Sequence, residues 1–210
     1  FFSKEKIEII ENSYFKKLIL ITIIGLSIES IIYYNILFVS SVPTSMYDIL
    51  VKILYIYYTF WMFYFVLYGF VVFFQIKDPN EKKYKKFKFY MCICYSLALV
   101  FCIVLPVEIT LTDKYLYPYG IGTTFQYIFS TIGMTIIGIC GLMNLKQFKK
   151  KESLPLIACM IFGVISIVVQ YFFHEFLFIV PSHAIAVVLM YFTIENPDVK
   201  MVKQLVENRK

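Results

Sequence analysis

Glu29 and His183 offer the most chemistry in this chain, because each is an ionisable side chain set among apolar neighbours. Glu29 falls about halfway along an apolar run, where a carboxylate is disfavoured by a few kcal/mol on membrane-insertion scales. It is therefore expected to face the interior of a helical bundle, either protonated or paired. Gly25 and Tyr33 flank it at four-residue spacing, which puts a close backbone approach, a carboxyl and a phenol on one helix face. Two readings follow: an interhelical hydrogen bond that fixes packing, or a group that binds a ligand or senses protons.

Gln170 and His174 share a face of the next-to-last apolar run, near its outer end, and His183 lies roughly two turns inside the same surface on the last run. Gln126, Ser130 and Gly133 share a face of the fourth run. Together these residues are expected to line an outward-open pocket whose polar groups converge at modest depth. Imidazole titrates near neutrality, so such a pocket would also report external pH. The plainer alternative is that the Gln and Ser side chains tie helices together and His174 is an exposed turn residue. Pro181, two residues before His183, is placed to kink the last run, which makes His183 the preferred pocket residue.

Catalytic patterns are missing from the rest of the sequence. It has no Gly-rich phosphate loop, no Gly-x-Ser-x-Gly elbow and no His-Glu-x-x-His zinc motif. The five cysteines, Cys92, Cys94, Cys102, Cys140 and Cys159, all fall in apolar runs and read as buried reduced thiols packing as small hydrophobes. Cys92-x-Cys94 has the wrong spacing for a common zinc site, so neither a metal nor a cofactor is expected in this chain. The second run carries Tyr55, Tyr57, Tyr58, Phe60, Trp61, Phe63, Tyr64 and Tyr68. That set suits an aromatic cage for a cationic or lipid-like ligand. Yet Phe and Tyr together number 40, and Lys far outnumbers the single Arg, a bias expected of an AT-rich genome. The stretch from Tyr115 through Tyr117-Pro118-Tyr119-Gly120 to Gly122 reads as an ordered outer turn with interfacial tyrosines.

The elements that position these residues follow from composition. Sixty per cent of residues are hydrophobic and 16% charged, with a mean hydropathy of +0.74, which excludes an ordinary soluble domain. Apolar runs long enough to cross a bilayer occur at 18–39, 49–74, 90–107, 123–145, 155–174 and 176–194. The fold class expected is all-α: a polytopic membrane bundle of six spans, with a tight hairpin at His174 and Glu175. The segments 1–17, 75–89, 146–154 and 195–210 hold 18 of the 20 Lys and Arg residues. By the positive-inside rule these face the cytoplasm and both termini lie there. Beside membrane spans such charge reads as orientation, and no nucleic-acid partner is expected.

The chain divides into a juxtamembrane segment (1–17), a membrane bundle (18–194) and the start of a further helix (195–210). Glu195 leads into Asn196 as N-cap, Pro197 at the first helical position and Asp198 complementing the positive helix end. Val199, Val202 and Val206 then fall at three- and four-residue spacing, the seam of a coiled coil. Phe1 and Phe2 are expected to be the tail of an earlier span, which would make these the last six of seven. The seam is expected to run on past Lys210 into a cytoplasmic domain.

The sequence Met190-Tyr191-Phe192-Thr193-Ile194-Glu195-Asn196-Pro197-Asp198, followed by Val199-Lys200-Met201-Val202, resembles the exit of the multi-span sensor domain of bacterial sensor histidine kinases. The opening Phe2 to Glu8 and the Tyr117-Pro118-Tyr119-Gly120 loop also look like parts of those proteins. The resemblance implies a membrane input domain of a two-component system in the bacterial plasma membrane, with a cytoplasmic C-terminus and a homodimeric parent. It implies a kinase core using ATP and Mg outside these residues and a response regulator as partner, and it transfers no catalytic residue here. The alternative from another class is a small six-span transporter or substrate-binding membrane component, with Glu29 and His183 in a midplane site.

Overall fold

The structure, a computed structural model, describes residues 10–38, 43–76, 78–111, 116–148, 153–173 and 179–194. They form α1 (Ile10–Phe38), α2 (Thr44–Phe74), α3 (Lys82–Val104), a hairpin of β1 (Glu108–Leu111) and β2 (Leu116–Tyr119), α4 (Ile121–Met143), the single turn α5 (Leu145–Phe148), α6 (Leu154–Phe172) and α7 (Ile179–Ile194). Three helices, Ser45–Phe74, Lys82–Val104 and Ile121–Met143, are long and apolar enough to cross a membrane. The pairs His174 and Glu175, the junction Glu195 to Asp198 and the seam Val199, Val202 and Val206 lie outside the described residues.

Helix α2 is the axis of the bundle. Some 83% of its most apolar window is buried, against 33% for α4 and 17% for α3. It packs against α1, α3 and α4, while α7 packs against α1 and α6. The outer helices accordingly bury one stripe each. On α1 the stripe is Phe15, Leu18, Thr22, Gly25, Glu29 and Ile32, an alternation of three- and four-residue steps. On α3 Tyr84, Tyr95, Ala98 and Cys102 face inward, while Phe89, Leu97, Ile103 and Val104 are exposed. Apolar side chains turned outward in this way suit lipid rather than water.

Short polar ties fix the helix ends. Gln75 ends α2 in the left-handed conformation, and its N–H caps the carbonyls of Val71 and Val72. Asn80 then donates to Asp78 Oδ1 at 2.8 Å, an Asx turn leading into α3. Tyr14 and Tyr84 share a hydrogen bond that pins α1 to the start of α3. Burial and that Tyr84 contact push the Tyr14 phenol well above its ordinary range, so it serves as a neutral hydrogen-bonding group. At the opposite end Lys52 Nζ donates to the Ile103 carbonyl at 3.1 Å, satisfying an otherwise open acceptor in the last turn of α3.

The structure corrects the sequence reading in two places, the outer turn and the cysteines. The chain is not wholly helical: the outer stretch pairs Glu108 with Tyr119 and Leu111 with Leu116 in an antiparallel hairpin. Gly120, at φ 94°, turns the chain from that hairpin into α4. Helix α1 is described from Ile10, and Tyr14 and Phe15, ahead of the apolar run at 18–39, are already buried in the bundle. Among the cysteines, Cys102, Cys140 and Cys159 are buried, but Cys94 is exposed and Cys92 half-buried, since residues two apart on a helix point to different faces.

Candidate functional site

His183 sits on the buried face of α7 and is enclosed by aromatic rings of α2. The Trp61 ring lies parallel to the imidazole, with centroids 3.7 Å apart and planes 3° from parallel. Tyr58 meets it edge-on at 6.0 Å. The Tyr57 hydroxyl is 2.9 Å from His183 Nδ1, a hydrogen bond whose direction depends on the imidazole tautomer. The aromatic residues that suggested a cage in the sequence thus surround a histidine of the same chain. Their spacing explains why: Tyr57, Tyr58 and Trp61 lie at steps of one, three and four, which places all three on one side of α2.

Helix α1 completes this wall. Trp61 Nε1 donates to Thr22 Oγ1 at 3.0 Å, and Thr22 in turn donates to the Leu18 carbonyl at 2.8 Å. Gly25, one step further along the stripe, lies directly against the Tyr57 ring. Glu29 follows one turn later, buried at 4% exposure, and its Oε1 has no hydrogen-bond partner among the described residues. A connected path therefore runs from α1 through Trp61 and Tyr57 to His183 on α7.

A second polar cluster adjoins it. Gln126 Oε1 accepts from Thr59 at 3.2 Å and from Cys102 Sγ at 3.5 Å, joining α4 to α2 and α3. Its Nε2 is buried and has no partner among the described residues. Beside it is a cavity of about 30 Å³ lined by Tyr58, Gln126, Ser130, Ser166, Ser182 and His183. A smaller cavity of about 20 Å³ shares Tyr58 and Gln126 and reaches Gln170. Each has room for a water molecule or two, and the lining supplies the several polar partners that a buried water needs. Ser166 and Ser182 are hydrogen-bonded to each other across α6 and α7.

The sequence-expected residues Gln126, Gln170 and His183 thus converge, with Ser130 beside them. Glu29 lies one turn beyond the Gly25–Tyr57 contact on the same buried stripe of α1; the transporter reading of the sequence pairs it with His183. Tyr57 and Trp61 enter the sequence reading only as members of the aromatic cage set, and Thr22, Ser166 and Ser182 do not enter it. Thr22 does have a sequence signal: it lies three residues before Gly25 on the stripe that ends in Glu29.

Neutral donors and acceptors dominate the site, so it can hold water or a small uncharged polar group; Glu29 is buried on α1, one turn beyond the Gly25–Tyr57 contact. Glu29→Gln preserves shape while removing the possibility of charge. Because an ionised carboxylate in such a place is costly, the variant is expected to be at least as stable as the parent chain in a thermal melt in detergent. A loss of more than about 2 kcal/mol would instead indicate a carboxylate paired within the bundle.

Fold and site together define a helical membrane protein with a polar, histidine-containing site enclosed among its helices. Comparison of the chain with protein-family models, curated proteins and solved structures finds no match.

Proposed function

We propose that this chain is the membrane input domain of a two-component sensor histidine kinase, a six-span bundle whose C-terminal end faces the cytoplasm. The reading is carried by one observation: the enclosed polar site draws His183 and Ser182 from α7, the helix whose described residues run to Ile194, next in the chain to Glu195. Whatever alters the contacts of the imidazole or the cavity acts on α7 directly. Movement of α7 reaches the Asn196-Pro197-Asp198 joint and then the Val199, Val202 and Val206 seam of a dimeric output helix. Transmission of this kind needs an element with two arrangements rather than a substrate path. Lys and Arg clustered on one side supply the orientation, and the resemblance at residues 190–198 supplies the class of output.

Reading the coding sequence beyond Lys210 tests the proposal. A His-Glu-x-Arg-Thr-Pro helix followed by an ATP-binding domain supports it. A stop codon soon after Lys210 removes it and leaves the transporter reading. In a parent protein of the first kind, Pro197→Ala restores a backbone N–H and allows the last span and the output helix to fuse. The variant is expected to change basal autophosphorylation severalfold, and unchanged output would remove the joint from the mechanism.

A further inference from the structure

Between α1 and α2 runs a groove of about 400 Å³, lined by Leu20, Ile24, Ile28, Ile53, Phe60 and Tyr57, with Lys17 and Tyr64 at one end. Its volume is within the usual range for a small-molecule site. Its lining is apolar except for that end. Lys17 Nζ is held 5.3 Å from the centre of the Tyr64 ring and 5.4 Å from that of Tyr14, so the charge is poised over the groove mouth. From Lys17 to Ile28 is about 16 Å along α1, roughly half of a hydrocarbon core about 30 Å thick. The groove therefore runs from headgroup level to near the midplane, the depth of a single leaflet. Lys17 also lies on the side where most of the Lys and Arg residues gather.

We propose that this groove is a binding site for one anionic phospholipid of the cytoplasmic leaflet, with an acyl chain along the isoleucine-lined trough and the headgroup phosphate on Lys17. An apolar trough one leaflet deep accepts an acyl chain, and an ammonium at its mouth selects a negative headgroup over a zwitterionic one. The occupant also has a route to the polar site. Tyr57 lines the groove and is hydrogen-bonded to His183, so a lipid chain lies one residue from the imidazole.

The test uses native mass spectrometry of the purified chain in detergent, titrated with phosphatidylglycerol or with phosphatidylcholine of the same chain length. One phosphatidylglycerol is expected to bind at least fivefold more tightly than phosphatidylcholine. Lys17→Gln should abolish that preference, Lys17→Arg should retain it, and Ile24→Trp should weaken both lipids by filling the trough. Lys17 and Ile24 are exposed, so these variants leave the core intact. Equal binding of the two lipids, or a preference that survives Lys17→Gln, overturns the proposal. Unchanged retention in Ile24→Trp also overturns it, and is the outcome expected if a second copy of the chain or residues 1–9 fill the groove. No output domain enters the measurement, so its failure is separate from failure of the kinase reading.

Discussion

Trp61→Ala is expected to destabilise the protein by about 3–5 kcal/mol, the range for removing a large buried aromatic side chain. Trp61 is 1% exposed and serves three helices at once. On α2 it stacks on Phe65, across to α7 it covers the face of His183, and toward α1 it donates to Thr22. Truncation leaves a cavity where the stack stood, and the imidazole loses its cover. Trp61→Phe is the milder change, since it keeps one six-membered ring to stack and gives up the fused pyrrole ring with its N–H. A loss of about 1–3 kcal/mol is expected for Phe, from one hydrogen bond and a smaller cavity. Reversible unfolding in mixed micelles measures both, and a loss below about 1 kcal/mol for Trp61→Ala would mean that this wall is not part of the core.

Gly25→Ala is the second large effect, and its cause is local. A Cβ at this position would stand 2.7 Å from Tyr57 Cε1 and closer still to Cζ and Cε2. The ring has to move, and it cannot move without disturbing the hydrogen bond between its hydroxyl and His183. Overpacking of this sort costs about 1–3 kcal/mol. Removing the ring should relieve it, so Gly25→Ala is expected to cost less in a Tyr57→Ala background than alone. The two substitutions should be non-additive by more than about 0.5 kcal/mol in a double-mutant cycle. Additive behaviour would show that α1 and the His183 site are not in contact through Tyr57.

Much of this arrangement was legible in the sequence, and the parts that were not share a physical reason. Glu29 could be placed in the bundle because a single carboxylate in an apolar run has few tolerable positions, and the Gly25 spacing marked its face. Gln126 lines one small cavity with His183 and a second with Gln170, and position along each helix is set by counting residues. Rotation of one helix against another is not set that way. Which of the aromatic residues of α2 meet α7 depends on packing between segments more than a hundred residues apart, as in the Tyr57–His183 bond. Composition alone therefore hid Trp61 and Tyr57 among many similar side chains. The hairpin was hidden by Pro118, which argues against a strand yet is tolerated where two strands are all that pair. Lys16 and Lys17 mark the edge of the apolar run but do not interrupt α1, which is described from Ile10.

Phosphorylation of the parent protein in inverted membrane vesicles, supplied with labelled ATP, tests the coupling of the enclosed site to output most directly. Wild type is compared with Tyr57→Phe, which removes only the hydroxyl that holds His183. Phosphohistidine should form in both, with basal incorporation changed severalfold in the variant because α7 has lost the polar tie from His183 to α2. Absence of phosphohistidine in the wild type, or equal incorporation in the two proteins, would contradict a signalling role for this site.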